Sequence, residues 1–138
     1  MTEFISFVSP VPIAEQDSSP LAAASECLDR FTAYFNACDA IGMDGELYFP
    51  HVMFSGASRL EWKEPGQHPE NFFVTLKESG WHHTCYESKV PILVSQDKVH
   101  FVVTYSRRNP ADEVLSLHKN LWIIIRAGER WQICLRSY

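Results

Sequence analysis

His118 is the side chain best suited to acid/base chemistry. An imidazole changes charge near neutral pH, so it can take or give a proton under physiological conditions. His118 lies two residues from Asn120 on a stretch that reads as a strand, so the two share a face. Counting back through a hairpin sets Thr104 on that face as well. An amide and a hydroxyl beside an imidazole could orient the ring or bind a carbonyl. The same trio would serve equally as a hydrogen-bonded structural cluster between sheet and helix.

The other histidines are less convergent. His51 follows Pro50 where the chain enters its first strand, so it could face a pocket mouth, cap a short helix or meet solvent. His82 and His83 are neighbours on a strand and should point to opposite sides. His100 is placed on the face of His118, but about 13 Å away by strand rise, too far for one metal ion. No H-E-x-x-H or paired Cys/His spacing occurs, so no metal site is expected. No Gly-rich phosphate loop or nucleophile elbow occurs either, so no cofactor is expected.

Aromatic rings supply the rest of a possible site. Tyr34, Trp62, Trp122 and Trp131 could line a hydrophobic pocket, or simply fill a core. Arg136 could anchor an anion or sit in a surface ion pair. Arg107-Arg108 beside a turn reads as a solvated strand end.

The elements that must hold these residues are legible in outline. Residues 1–18 read as an arm, with Pro10, Pro12 and a polar stretch at 15–18. Phe4, Ile5, Phe7 and Val8 could there form a short strand or pack on a partner. A domain of residues 19–138 follows. Its first helix opens with Ser19 as cap and Pro20 in the first turn, and places Ala24, Leu28, Phe31, Phe35 and Cys38 on one face. Gly42 is the expected stop. A short helix is expected over 44–49, strands over 51–55 and 60–63, and a helix over 69–79 closed by Gly80. Four long strands then follow, over 81–95, 98–108, 115–126 and 130–137, joined by tight turns as an antiparallel meander. Pro91 marks a bulge or an edge.

A two-residue turn at Gln96-Asp97 would put Val90, Ile92 and Val94 on one face with Val103, Phe101 and Val99, continued by Leu117, Leu121 and Ile123. The opposite face would carry His100, Thr104, His118, Asn120, Trp122, Trp131, Ile133 and Leu135. Both faces are then largely apolar. Helices can cover one, and a second copy of the chain is the simplest cover for the other, so a homodimer through the sheet face is expected.

Composition bounds the classes of function. The 138 residues fit one soluble domain, and the net charge of -5 offers no basic stripe for nucleic acid. No run approaches the about 20 apolar residues of a membrane-spanning helix. Cys27, Cys38, Cys85 and Cys134 form no C-x-x-C pair, which reads as free thiols in a reducing cytoplasm.

The stretch Leu28–Gly56, "LDRFTAYFNACDAIGMDGELYFPHVMFSG", with its N-x-x-D turn at Asn36 and Asp39, resembles the opening of the NTF2-like, SnoaL-like proteins. The closing "GERWQICLRSY" is similar to that superfamily's last strand. "FPH" at 49–51, "GWHHT" at 80–84, "KVHF" at 98–101 and the final "RS" resemble bacterial SnoaL-like proteins of no assigned function. The resemblance spans about residues 20–138 and implies an α+β fold, with N-terminal helices packed in a curved, mainly antiparallel sheet that forms a cone.

It also implies a test against the ketosteroid-isomerase pattern. The oxyanion-donor tyrosine of that pattern falls on Phe31. Its general-base aspartate falls near Ser55 or Gly56, and its second acid near His118. Proton shuttling by that machinery is therefore not expected. Three readings remain: a module binding a small, largely apolar molecule, a cofactor-independent isomerase, dehydratase or cyclase using His118, and a structural dimerisation domain.

Overall fold

The computed structural model describes residues 3–8 and 19–138, so most of the expected arm lies outside the described residues. Its described part is a helical turn, α1 (Phe4–Val8), rather than a strand, with Phe4, Ile5, Phe7 and Val8 exposed. Helix α2 (Ser19–Asn36) follows and buries Ala24, Cys27, Leu28 and Phe31 on one face. It stops at Asn36, before Gly42. Cys38 already has a positive φ of 56°, which breaks the helical path.

Helix α3 (Ala40–Gly45) comes next, four residues earlier than the spacing suggests. Its start is fixed by Asp39, whose carboxylate accepts the Gly42 N–H at 2.9 Å. Strand β1 (Leu47–Ser55) therefore takes up what reads as the end of a helix, and Pro50 falls within it after a cis peptide bond. Strand β2 (Ser58–Trp62), helix α4 (Phe72–Glu78) and strands β3 (His83–Val94), β4 (Lys98–Arg108), β5 (Val114–Ala127) and β6 (Arg130–Ser137) complete the fold.

The six strands form one sheet in the order β2-β1-β6-β5-β4-β3. Among the described residues only the β1–β6 pair is parallel, and it closes the meander onto the first hairpin. Pro91 lies on β3, an edge strand, beside a register shift, where its missing N–H costs least. Helix α2 packs across β3, β4, β5 and β6. Phe31, Leu28 and Met43 meet Phe101, Val103, Trp122, Ile124 and Ile133 in the core. Asn36 ties helix to sheet. Its amide donates to the Thr84 carbonyl at 2.9 Å and accepts the Thr84 N–H at 2.8 Å.

Three bulges correct the expected faces. At Ile92 the β3–β4 register slips, so Val90 pairs with Val102 instead of Val103. Between Arg107 and Arg108 the β4–β5 register slips again, because Arg108 pairs with Val114 and Arg107 with Ser116. Phe101 and Val103 consequently pair with Trp122 and Asn120, on the helix-facing side. Thr104 pairs with Lys119 and His100 with Ile123 on the other side, away from His118. In β6 the slip lies between Ile133, paired with Ile124, and Leu135, paired with Ile123. Leu135 thus turns outward and Arg136, paired with Trp122, turns inward.

Candidate functional site

Arg136 is 6% exposed, far from the surface ion pair its sequence context allows. Its Nε donates to His51 Nε2 at 2.9 Å and one terminal nitrogen to Met53 Sδ at 3.4 Å. Its guanidinium carbon lies 5.4 Å from the Phe31 ring, 5.8 Å from Trp62, 6.0 Å from Trp122 and 5.9 Å from Tyr138. Such a set of rings favours a cation through their electron-rich faces. Among the described residues no carboxylate forms an ion pair with it.

His51 supports this arginine from behind. It is fully buried on β1, within the stretch where the β1–β6 register shifts between Leu47 and Val52. Its Nδ1 lies 3.0 Å from the Ile133 carbonyl, so that nitrogen carries the proton and Nε2 accepts from Arg136. Burial pushes its pKa down to about 3, and the Arg136 charge acts in the same direction. His51 is a neutral brace rather than a residue at the pocket mouth.

In front of Arg136 lies a cavity of about 380 Å³. Phe31 and Phe35 of α2, Trp62 of β2, Phe72 of α4 and Trp122 of β5 form much of its wall, with Tyr105, Arg107 and Tyr138. Phe31 stands edge-on to Trp122 with centroids 5.6 Å apart. The lining is thus mostly aromatic carbon, the usual character of a small-molecule site.

His68 also lines this cavity, from the loop between β2 and α4. Its ring meets Trp62 edge-on at 4.7 Å between centroids. Asp44, at the end of α3, lies beside it. One Asp44 oxygen accepts the Gly66 N–H at 2.9 Å, and the other lies 3.3 Å from His68 Nδ1. Gly66 has φ +90°, a conformation that favours glycine, so the loop can turn its N–H onto the carboxylate. Burial lowers the His68 pKa, Asp44 opposes this, and the Arg136 charge adds to the lowering. Neither atom of the 3.3 Å contact makes a hydrogen bond, but a neutral ring protonated on Nδ1, the nitrogen nearer Asp44, would keep its Nε2 lone pair as a base.

The residues singled out from sequence divide between this cavity and other places. Trp62 and Trp122 line it. His118 does not. Its ring stacks on Tyr105 at 4.9 Å and its Nε2 lies 2.8 Å from the Ser116 hydroxyl. Asn120 is one layer back, donating to the Tyr105 hydroxyl at 3.0 Å. Tyr34 packs over Gly42 so closely that a Cβ there would overlap its ring. Thr104 faces the far side of the sheet. Trp131, at the start of β6, lines a separate hollow of about 180 Å³ with Pro20 and Ala23.

His82 and His83, expected to diverge, have their Nδ1 atoms 2.9 Å apart, since His82 precedes the strand. Among the described residues, His83, Cys85 and Asp112 bring three potential metal-ligand atoms within 4.8 Å of one another. The Arg108 guanidinium, 3.3 Å from Asp112, opposes a further cation there.

Sequence reasoning missed His68, Asp44 and Tyr105, and left Arg136 between an anion anchor and a surface ion pair. Tyr105 was readable, since it continues the Val99, Phe101, Val103 alternation. His68 sits among Pro65, Gly66 and Pro69, a breaker-rich loop with no periodicity to assign it a side. Arg136 is hidden by the bulge.

No protein-family model matches the chain, and no curated protein matches it. Solved structures do. A protein of unknown function with a cystatin-like fold from Nostoc punctiforme superposes with a TM-score of 0.67 at 12% identity, over 92% of each chain. An NTF2-like protein with a cystatin-like fold from Novosphingobium aromaticivorans gives 0.66 at 13% identity, over 86% of this chain and 79% of that one. A ketosteroid isomerase-like protein from Erwinia carotovora gives 0.58 at 17% identity, over 86% and 94%.

Proposed function

On the cystatin-like, NTF2-like fold that this chain has, we propose that the cavity in front of Arg136 binds a small, largely apolar organic molecule. The observation that carries this reading is a 380 Å³ cavity walled mainly by aromatic rings. Calorimetric titration with 1-naphthol of the wild type, and of the variant Thr32→Phe in the cavity wall, tests it. Binding by the wild type and weakening of about tenfold or more in the variant are expected, because added bulk takes up the space the ring needs. No binding to the wild type at millimolar concentration would rule the reading out.

A second reading follows from His68 and Asp44. An oriented, neutral imidazole on the wall of an apolar cavity can take a proton from a carbon beside a carbonyl and return it at another position, an isomerisation that needs no redox partner. The isomerase-like name of the Erwinia neighbour is in keeping with this chemistry. His68 replaces His118 as the acid/base, since His118 lies outside the cavity lining. Deuterium uptake into cyclic enones and hydroxy-ketones in heavy water is the assay. Uptake that vanishes in His68→Gln and persists in His118→Gln is expected. Uptake indifferent to His68→Gln would end this reading.

No helix of the described residues is long and apolar enough to cross a membrane. The four free cysteines accord with a cytoplasmic setting. Val90, Ile92, Leu93, Val114, Leu115 and Leu117 are exposed apolar residues, and a homodimer formed through the outer face of the sheet would cover those of them that lie on it.

A further inference from the structure

The polar groups around the cavity are unbalanced. Arg136 has five N–H donors, and two are used, on His51 and Met53. Arg107, also in the lining, has a buried Nε that finds no acceptor among the described residues. The buried indole N–H of Trp122 finds none either. The Tyr105 hydroxyl accepts from Asn120 and so keeps its own hydrogen to give. Asp44 stands outside the lining: one oxygen accepts the Gly66 N–H, and the other lies 3.3 Å from His68 Nδ1 without a hydrogen bond between them. Two guanidiniums, an indole and a phenol thus belong to the lining of one apolar cavity whose lining side chains include no carboxylate.

A buried cation is costly unless an anion or several acceptors meet it. Aromatic faces and a neutral imidazole supply part of that need, but not a full opposite charge. The positive field also reaches the two histidines, since the Arg136 charge presses down the pKa values of both His51 and His68.

From this excess of donors we infer that the ligand is a small carboxylic acid in its ionised form. Its carboxylate seats on the free edge of the Arg136 guanidinium, and its apolar body lies among Phe31, Trp62 and Phe72. A planar fork suits a carboxylate better than a point charge would. His68 and Arg136 both lie against the Trp62 ring, 4.7 Å and 5.8 Å from its centroid, so base and anchor share one part of the cavity wall. The carbon chain next to a carboxylate held by Arg136 then lies in the part of the cavity that His68 also lines. This inference rests on the reading of the cavity as a binding site and names the class of molecule it takes.

Matched pairs test it without knowledge of the natural ligand. The full chain is titrated with cinnamate against cinnamamide and with 1-naphthoate against 1-naphthamide, at pH 7 and low salt. The carboxylate of each pair is expected to bind more tightly than the amide by about tenfold or more. Arg136→Met should reduce that ratio to near unity while leaving amide binding in place. If Arg136→Met does not fold, Arg136→Lys serves instead, with the ratio reduced several-fold because the fork is lost. Equal binding of both members to the wild type overturns this inference and leaves the cavity reading intact. A preference that survives in the Arg136 variant overturns the assignment of the anchor. Binding of neither member overturns the cavity reading, and this inference with it.

Discussion

His51 couples the brace behind the cavity to pH. Folded, it stays neutral down to about 3, whereas in the unfolded chain it titrates near the ordinary value of 6.5. Between these limits the unfolded state binds one more proton, so stability is full above about 6.5 and falls as pH drops toward 3. The slope from this one group approaches about 1.4 kcal/mol per pH unit. Urea unfolding between pH 7 and 4 is expected to show a slope smaller by about that amount in His51→Gln than in the wild type. Equal slopes would mean that His51 is not held neutral by the fold. At this scale the sequence was partly legible. Trp62 and Trp122 stand in the cavity wall because aromatic residues on strands facing a helix layer have few other places to go. His51 and Arg136 were not legible as a pair. They are 85 residues apart and meet only through the parallel β1–β6 contact, which no local pattern announces.

Among the elements, α3 shows how packing decides what local propensity leaves open. Gly42 lies inside it, where alanine would ordinarily gain about 1 kcal/mol of helix propensity. The Tyr34 ring of α2 occupies the space that a Cβ would need. Gly42→Ala is therefore expected to destabilise the chain by about 1–3 kcal/mol by thermal or urea unfolding. Combined with Tyr34→Ala it should cost less than the sum of the two single changes, because the overlap is gone. Additive effects would show that the close approach has no energetic weight. Strands β4 and β6 were readable in full, and helix α2 from its Ser19 start, though it ends at Asn36 and not near Gly42. The segment 39–50 was not. Pro50 normally ends a helix and so reads as a terminator, but here it sits in a strand at a register shift, and Asp39 rather than the hydrophobic pattern sets where α3 starts.

In the whole molecule, the sheet has a core side and an outer side of different character. Val90, 49% exposed, pairs with Val102, and Val102 with Leu121, so an apolar row crosses three strands on the outer face. Sedimentation at micromolar concentration is expected to show a dimer for the wild type and a monomer for Val90→Lys, because a charge in that row cannot be buried unpaired. A monomeric wild type would exclude this assembly. The expectation that both faces are largely apolar came from a register that the structure corrects at three bulges, and the apolar row survives because valine and leucine occupy both parities of these strands. The bulge in β6 reaches furthest. A strand behaves like a reading frame of two, in which every second side chain is read by the interior. In an unbroken frame the interior would read Leu135 after Ile133. One extra residue, Cys134, shifts the frame within a strand of eight, so the first half of β6 is read as hydrocarbon and the second half as charge. The polarity of the cavity is then a matter of counting as much as of composition. Removing that one residue, with every other side chain kept, would decide whether this fold encloses a cation or a plain apolar hollow.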